Sequence, residues 1–350
     1  MDIFIKGLGN ISPLPASENE NQIISNISNN SYLKCIEPDY KQFINPAMAR
    51  RMSRILKMGV SAAKMCLADA KVEVPDAIVT ATGLGCIEDT EKFIINIIQN
   101  DEKLLPPTSF IQSTHNTIGA QIALDLKCHN YNITYVNRGS SFEAGLLDSM
   151  MLLNEKEAQN VLFGSVDEIT PNYLKIINRL GLYRNNRLMF PHQNKHIPIL
   201  PGEGSAFFLL TSENSSENYA QIVAATTFFN PENQDETESQ ISDFLQKSKI
   251  KKSELDLIIL GINGDGLLNE GYHRLMESYF RDMNFCAFKH CCGEYFTAVS
   301  FAVWMAARIL KTGVVPEEIR LNAFGNVSPR KILIYNHYHN LEHSLILLSK

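Results

Sequence analysis

An excess of positive charge is the first thing this sequence lacks. Its 32 lysines and arginines are outnumbered by 38 aspartates and glutamates, for a formal net charge of −6. No basic field is available to neutralise phosphates, which excludes nucleic acid as an expected partner. Long apolar runs are also missing. No window approaches about 18 uninterrupted apolar residues, and the opening MDIFIKGLGNISPLP lacks the basic end and apolar stretch of a secretory signal. The expectation is a cytoplasmic protein with no membrane partner. A disulfide framework is absent too, since seven cysteines are an odd number and fit a reducing compartment. Neither KHCCGE nor the Cys128–His129 pair has the paired spacing of a structural zinc site. Ordinary buried thiols are expected, with no metal and no cofactor.

What is present is a chain of 350 residues, 45% hydrophobic, long enough for a large core and, at about 150 residues per domain, for two domains or two fused halves. IFIKGLG reads as a strand, and the Asn- and Ser-rich SENENQIISNISNNSY as a surface loop. Met52, Ile55, Leu56, Val60, Ala63 and Cys66 then recur at helix spacing. Strand and helix patterns alternate as far as GEGSAFFLLTS, pause near residues 211–220, and resume from AQIVAATTFF onward. Two runs of alternation predict two similar α/β halves, residues 1–215 and 216–350. Apolar strands such as LIIL and VLFG fit sheets covered on both faces. At the carboxyl end, ILIY and LILL flank a His-rich connection and read as a closing hairpin.

One more absence concerns chemistry. ITYVNRGSSFEAGLLDSMMLL reads as a buried strand, a tight small-residue turn and a helix, an arrangement that commonly presents a nucleophile. The turn holds Gly139, which carries no nucleophile.

Several segments, in order, resemble the β-ketoacyl synthases of the thiolase-like superfamily. IFIKGLGNISPL is similar to the family's opening strand and Gly-x-Gly-x-x-Ser-Pro turn, and GEGSAFFLL to its Gly-Glu-Gly-Ala segment. KHCCGEYFTAVSFAVWMAARILKTGVVP matches its Lys, Gly four residues on, apolar helix and Gly-x-x-Pro. The resemblance runs from Ile3 to Leu348. It implies a thiolase-like α/β fold, two similar halves with stacked mixed five-stranded sheets around central helices. Those central helices are the ones after Gly139 and after Glu294.

Chemistry in the family uses a cysteine at the strand-to-helix turn and two histidines from the other half. The resemblance places Gly139 at the cysteine position, with GSVDE at the next strand end in register. Asn263 of LIILGINGDG and Glu294 of KHCCGE fall at the histidine positions, with Lys289 retained. Where the family carries Gly-Phe-Gly-Gly, this chain has NHYHNLEH, residues 336–343.

Several residues admit two readings. Ser140 or Ser141 as a substitute nucleophile lacks a histidine base, so helix capping is the plainer role. Glu294 is a new general base or an ion-pair partner of Lys289; Asn263 braces a loop. His337, His339 and His343 could bind a metal, with His337 and His339 on one strand face, or form a solvated loop. Arg50, Arg54 and Lys57 form a basic helical stripe that docks an acidic acyl carrier protein or is merely solvated.

A thiolase-like chain with these positions replaced resembles the catalytically silent chain length factors, which pair with an active ketosynthase and shape the acyl tunnel. The resemblance implies no condensing activity by the isolated chain. It also implies an active synthase or a second copy as partner and an acyl carrier protein as ligand. Phe110, Gln112 and Tyr135 become dimer or tunnel residues, within a Phe110–Tyr135 segment that pairs through the strand NITYV. Fatty acid, polyketide or aryl polyene-like pigment synthesis is the implied setting. The alternative is a homodimeric scaffold that binds an acyl chain or its carrier without a synthase partner; a third reading is a distinct enzyme using Glu294 or the carboxy-terminal histidines.

Overall fold

The computed structural model describes residues 2–350 except 15–30, 104, 106, 183–186, 191–194, 199, 267, 324 and 326. Most of the expected Asn- and Ser-rich loop lies outside the described residues. Among the described residues twelve strands run β1 (Ile3–Ile11), β2 (Ala77–Ala81), β3 (Tyr131–Tyr135), β4 (Asn160–Asp167), β5 (Arg187–Phe190), β6 (Lys195–Pro198), β7 (Gly204–Thr211), β8 (Ala220–Phe229), β9 (Leu257–Leu260), β10 (Phe285–Ala287), β11 (Lys331–Tyr338) and β12 (Glu342–Ser349). The longer helices are α1 (Arg54–Ala70), α2 (Ile87–Gln99), α3 (Pro107–Gln112), α4 (Thr117–Leu126), α5 (Ser141–Asn154), α6 (Pro171–Arg179), α7 (Gln234–Lys247), α8 (Glu270–Glu277) and α9 (Val299–Thr312).

The halves repeat one another. In the first, β1, β7, β4, β2 and β3 pair antiparallel, antiparallel, parallel, parallel. In the second, β8, β12, β11, β9 and β10 follow the same sequence of pairings. The structure departs from the expectation of two separate sheets: β1 and β8 pair at Ile3↔Ile222, Phe4↔Gln221 and Ile5↔Ala220, making one ten-stranded ladder. Each half brings an edge strand with free backbone groups to the seam, and joining them satisfies both. β5 and β6 form a separate hairpin.

Strands β2, β7 and β9 are buried along their whole length and β4 from Val161 onward, as strands with helices on both faces must be. α1 lies directly on β1: a Cβ at Gly9 would overlap the Ala62 carbonyl oxygen and come within 2.7 Å of the Cys66 nitrogen. Only glycine allows that approach, which explains the paired glycines of the opening motif. α5 and α9 are the central helices. Ten of the fourteen residues of α9 and eight of the fourteen of α5 are buried, and both join a single apolar core shared by the two halves. No helix among the described residues is long and apolar enough to cross a membrane.

Candidate functional site at the Gly139 turn

β3 runs parallel to β2 and delivers the chain to a one-turn 3-10 segment, Arg138–Ser140, before α5 begins at Ser141. Arg138 sits at φ 49°, a left-handed conformation that L side chains adopt at a cost. Ser141 fixes it: its Oγ donates to the Arg138 carbonyl at 2.7 Å and accepts from the Asn137 N–H at 2.8 Å. Ser140, the N-cap residue, makes no capping bond. The expected helix-capping role therefore gives way to bracing of the turn by Ser141 alone.

Gly139 is buried, and the space its side chain would occupy is full. A Cβ there would lie 2.6 Å from both Tyr338 Cγ and Glu342 Oε2, and nearer still to Tyr338 Cβ. Both residues come from the closing hairpin, where Tyr338 and Glu342 are directly paired across the ladder. Directly paired cross-strand residues share a face, so the register itself turns both side chains toward the turn. Tyr338 packs on Phe296 with ring centroids 5.1 Å apart. Burial raises the Glu342 carboxyl, while the Gly139 N–H and the Arg138 guanidinium favour its ionised form.

Lys289 and Glu294 form a buried ion pair, with Nζ 2.9 Å from Oε1 and 2.8 Å from Oε2. Glu294 is also held through its backbone, donating to the Leu200 carbonyl at 2.8 Å and accepting from the Gly202 N–H at 3.0 Å. Asp167 accepts four hydrogen bonds at 2.8–3.0 Å, from Thr82 Oγ, Gly83 N–H, and Thr297 N–H and Oγ. It thereby ties the end of β4 to the segment entering α9. Glu294, Tyr338 and Asp167 border a small cavity with Glu168 and Tyr173. Burial pushes Glu168 up to about 8 and Glu143, on α5, up to about 7. Asn263 is buried in its loop, its side-chain oxygen accepting from the Asp265 N–H at 3.2 Å and its own N–H donating to Asn269 at 3.2 Å.

The histidines behave differently from the sequence expectation. His337 and His343, rather than His337 and His339, face one another across the ladder, while His339 lies in the turn at φ 51°. The solvated-loop reading also fails for His337 and His343, which are both buried, although Asn340 and Leu341 in the turn between them are exposed. His337 stacks on Tyr272 at 4.4 Å, and His343 Nδ1 bonds the Tyr335 hydroxyl at 2.9 Å. Burial lowers both imidazoles, His343 to about 4, so they are neutral packing groups. Among the described residues no three His, Cys, Asp or Glu groups are placed to hold a metal. All seven cysteines are free and buried.

Arg54 is not an exposed docking residue. Its Nη1 and Nη2 bond Glu203 Oε2 and Oε1 at 2.7 and 2.5 Å, and its Nε reaches Glu37 at 2.5 Å. Glu203, the glutamate of the GEG segment, also accepts from the Cys35 and Ile169 N–H groups. Arg50 is exposed and Lys57 half-buried. Gln112 donates to the Arg51 carbonyl at 2.6 Å, whereas Phe110 is 57% exposed beside Ile111 at 62%. Tyr135 is half-buried on β3, where it shares Asp148 with Tyr131. β3 ends the strand order, so its outer edge faces no other strand among the described residues.

Residues 27–192, which contain the Gly139 turn, match the family described as Beta-ketoacyl synthase, N-terminal domain. Over these residues the chain is similar to the β-ketoacyl synthases. Its fold is similar to that of "The ishigamide ketosynthase/chain length factor", with a TM-score of 0.80 at 15% identity over 100% of this chain and 99% of that one. A second likeness is to the structure titled "AntDE:AntF (apo): type II PKS acyl-carrier protein in complex with its ketosynthase bound to the hexaketide", TM-score 0.76 at 13% identity over 99% of each chain. A third is to a β-ketoacyl synthase from Burkholderia phymatum STM815, TM-score 0.75 at 12% identity, covering 100% of this chain and 99% of that one. At these identities the ketosynthase-like protein is assigned the thiolase-like fold. No curated protein matches the sequence. Tyr338, Glu203, Asp167 and Glu143 were not singled out by sequence reasoning; the Tyr-x-x-x-Glu spacing of a three-residue hairpin loop was the signal available for Tyr338.

Proposed function

We propose that this protein is a catalytically silent ketosynthase-like subunit of the chain length factor type. In the cytoplasm it pairs with an active β-ketoacyl synthase and shapes the tunnel holding the growing acyl chain, in fatty acid, polyketide or aryl polyene-like pigment synthesis. One observation carries the reading: position 139 has neither a thiol nor room for one beside Tyr338 and Glu342. Asn263 and Glu294, at the positions aligned with the family's histidines, offer an amide engaged in its own loop and a carboxylate engaged by Lys289. A carboxylate repels a developing enolate where a neutral imidazole would donate to it.

Partner chemistry is supported by the similar structures, one a ketosynthase/chain length factor and one a ketosynthase with its acyl carrier protein. The free outer edge of β3 and the exposed apolar residues Phe110, Ile111 and Leu124 suit a partner surface. On this reading residues 1–215 and 216–350 are two ketosynthase-like halves. Phe110, Gln112 and Tyr135 lie toward the partner, and Arg50 with Lys57 remains for the acidic carrier.

Reconstitution tests it. Mixed with the ketosynthase and carrier protein of its own genome, the chain is expected to change product yield or length, and Phe110→Trp to shorten the product. A chain that binds no such ketosynthase and forms only homodimers points instead to the acyl or carrier scaffold.

A further inference from the structure

We propose that the β11–β12 tip is a built-in occupant of the chain's own acyl pocket. Tyr338 fills the volume beside position 139, and the Glu342 carboxylate lies against the same turn, within 2.6 Å of where a Cβ at 139 would stand, so it closes the Gly139 N–H off from an acyl oxygen or a small carboxylate. This rests on the silent-subunit reading and adds how the site is closed, independently of which side chain position 139 carries.

Three observations converge. The atoms blocking position 139 are Tyr338 Cβ and Cγ, the root of a side chain rather than a tip that could swing away. The Glu342 carboxylate is charge-matched there, with the Gly139 N–H and Arg138 favouring its ionised form; the other titratable groups around it are Glu143, Tyr338 and His339. The tip is tied to its neighbours by backbone hydrogen bonds. The Asn230 N–H donates to the Leu341 carbonyl at 2.7 Å, the His337 N–H to the Tyr272 hydroxyl at 2.9 Å, and the Asn340 N–H to His337 Nδ1 at 3.2 Å.

An open groove of about 650 Å³, bordered by Arg138, Ser140, Phe228 and Phe229, leads to Glu342 from outside, a volume in the range of small-molecule sites. Removing the carboxylate exposes an amide N–H beside a guanidinium at the end of that groove. A small organic anion would complement it.

The test uses a thiol reporter, against a background of seven buried native cysteines. Gly139→Cys alone is expected to lower Tm by about 5 °C or more through overpacking and to resist iodoacetamide in the folded protein. Gly139→Cys with Tyr338→Ala and Glu342→Ala is expected to recover part of that loss and to be alkylated at least about tenfold faster at the introduced thiol. Equal labelling of the single and triple variants overturns the proposal. As a second measurement, acetate at about 100 mM is expected to raise the Tm of Glu342→Ala relative to chloride at equal ionic strength and to leave the wild type unchanged; identical responses overturn the carboxylate's part. Both experiments use the isolated chain, whereas pairing is read by reconstitution, so either idea can fail alone.

Discussion

Lys289 and Glu294 hold each other in the interior, with one ammonium within 2.9 Å of both carboxylate oxygens and each side chain no more than 4% exposed. The pair occupies the place where sequence reasoning left a choice between general base and ion-pair partner, and the geometry selects the pair. Removing one member leaves a buried charge without its partner, which costs about 3–5 kcal/mol. Glu294→Ala is therefore expected to lose several kcal/mol in denaturant unfolding. The double variant Lys289→Met, Glu294→Leu should recover most of it, and a Glu294 acting on substrate would show no such rescue.

The Arg54–Glu203 contact gives a second prediction. Arg54→Ala should destabilise the chain by about 2–4 kcal/mol, because the Glu203 carboxylate is fully buried and would lose its bidentate partner. Arg50→Ala is exposed and should change Tm by less than about 1 °C while weakening carrier binding. Thermal unfolding beside a carrier pull-down separates the two residues that one stripe had joined.

Stability should also depend on pH through Glu143. Its carboxyl is raised by burial from 4.5 to about 7, so the folded chain holds this proton where the unfolded chain has released it. The contribution is complete below pH 4.5 and is lost as pH rises toward 7. Glu143→Gln should cancel a difference of up to about 3 kcal/mol across that window. The check is the variant-minus-wild-type unfolding free energy at successive pH values. Lowered His343 titrates in the opposite sense, losing stability as pH falls from 6.5 to about 4, and it cancels in that difference.

Phe110→Asp should leave the fold intact, since the ring is mostly exposed in the isolated chain, and should weaken association with a partner by at least about tenfold. Light scattering and partner titration report it. Unchanged association would place the interface elsewhere.

Much of this was legible in the residues. IFIKGLG marked the opening strand, alternating patterns gave two α/β halves, and the apolar stretches after Gly139 and Glu294 became the central helices. The β1–β8 seam was not legible, because local periodicity carries no information about which strand edges meet. The stretch NHYHNLEH looked solvated because its residues are polar. Its two ends, Asn336, His337 and His343, are buried because individual groups are matched in place: the His343 ring to the Tyr335 hydroxyl and His337 Nδ1 to the Asn340 N–H. Arg54 and Glu203 stand 149 residues apart, beyond any spacing rule.

The central claim, a silent subunit, meets its most direct test in carbon dioxide release from a malonyl-loaded carrier protein by the purified chain alone. The account predicts release no faster than in the absence of protein, and still none after Gly139→Cys. Sustained turnover by the isolated wild-type chain, abolished by Glu294→Gln, would contradict it.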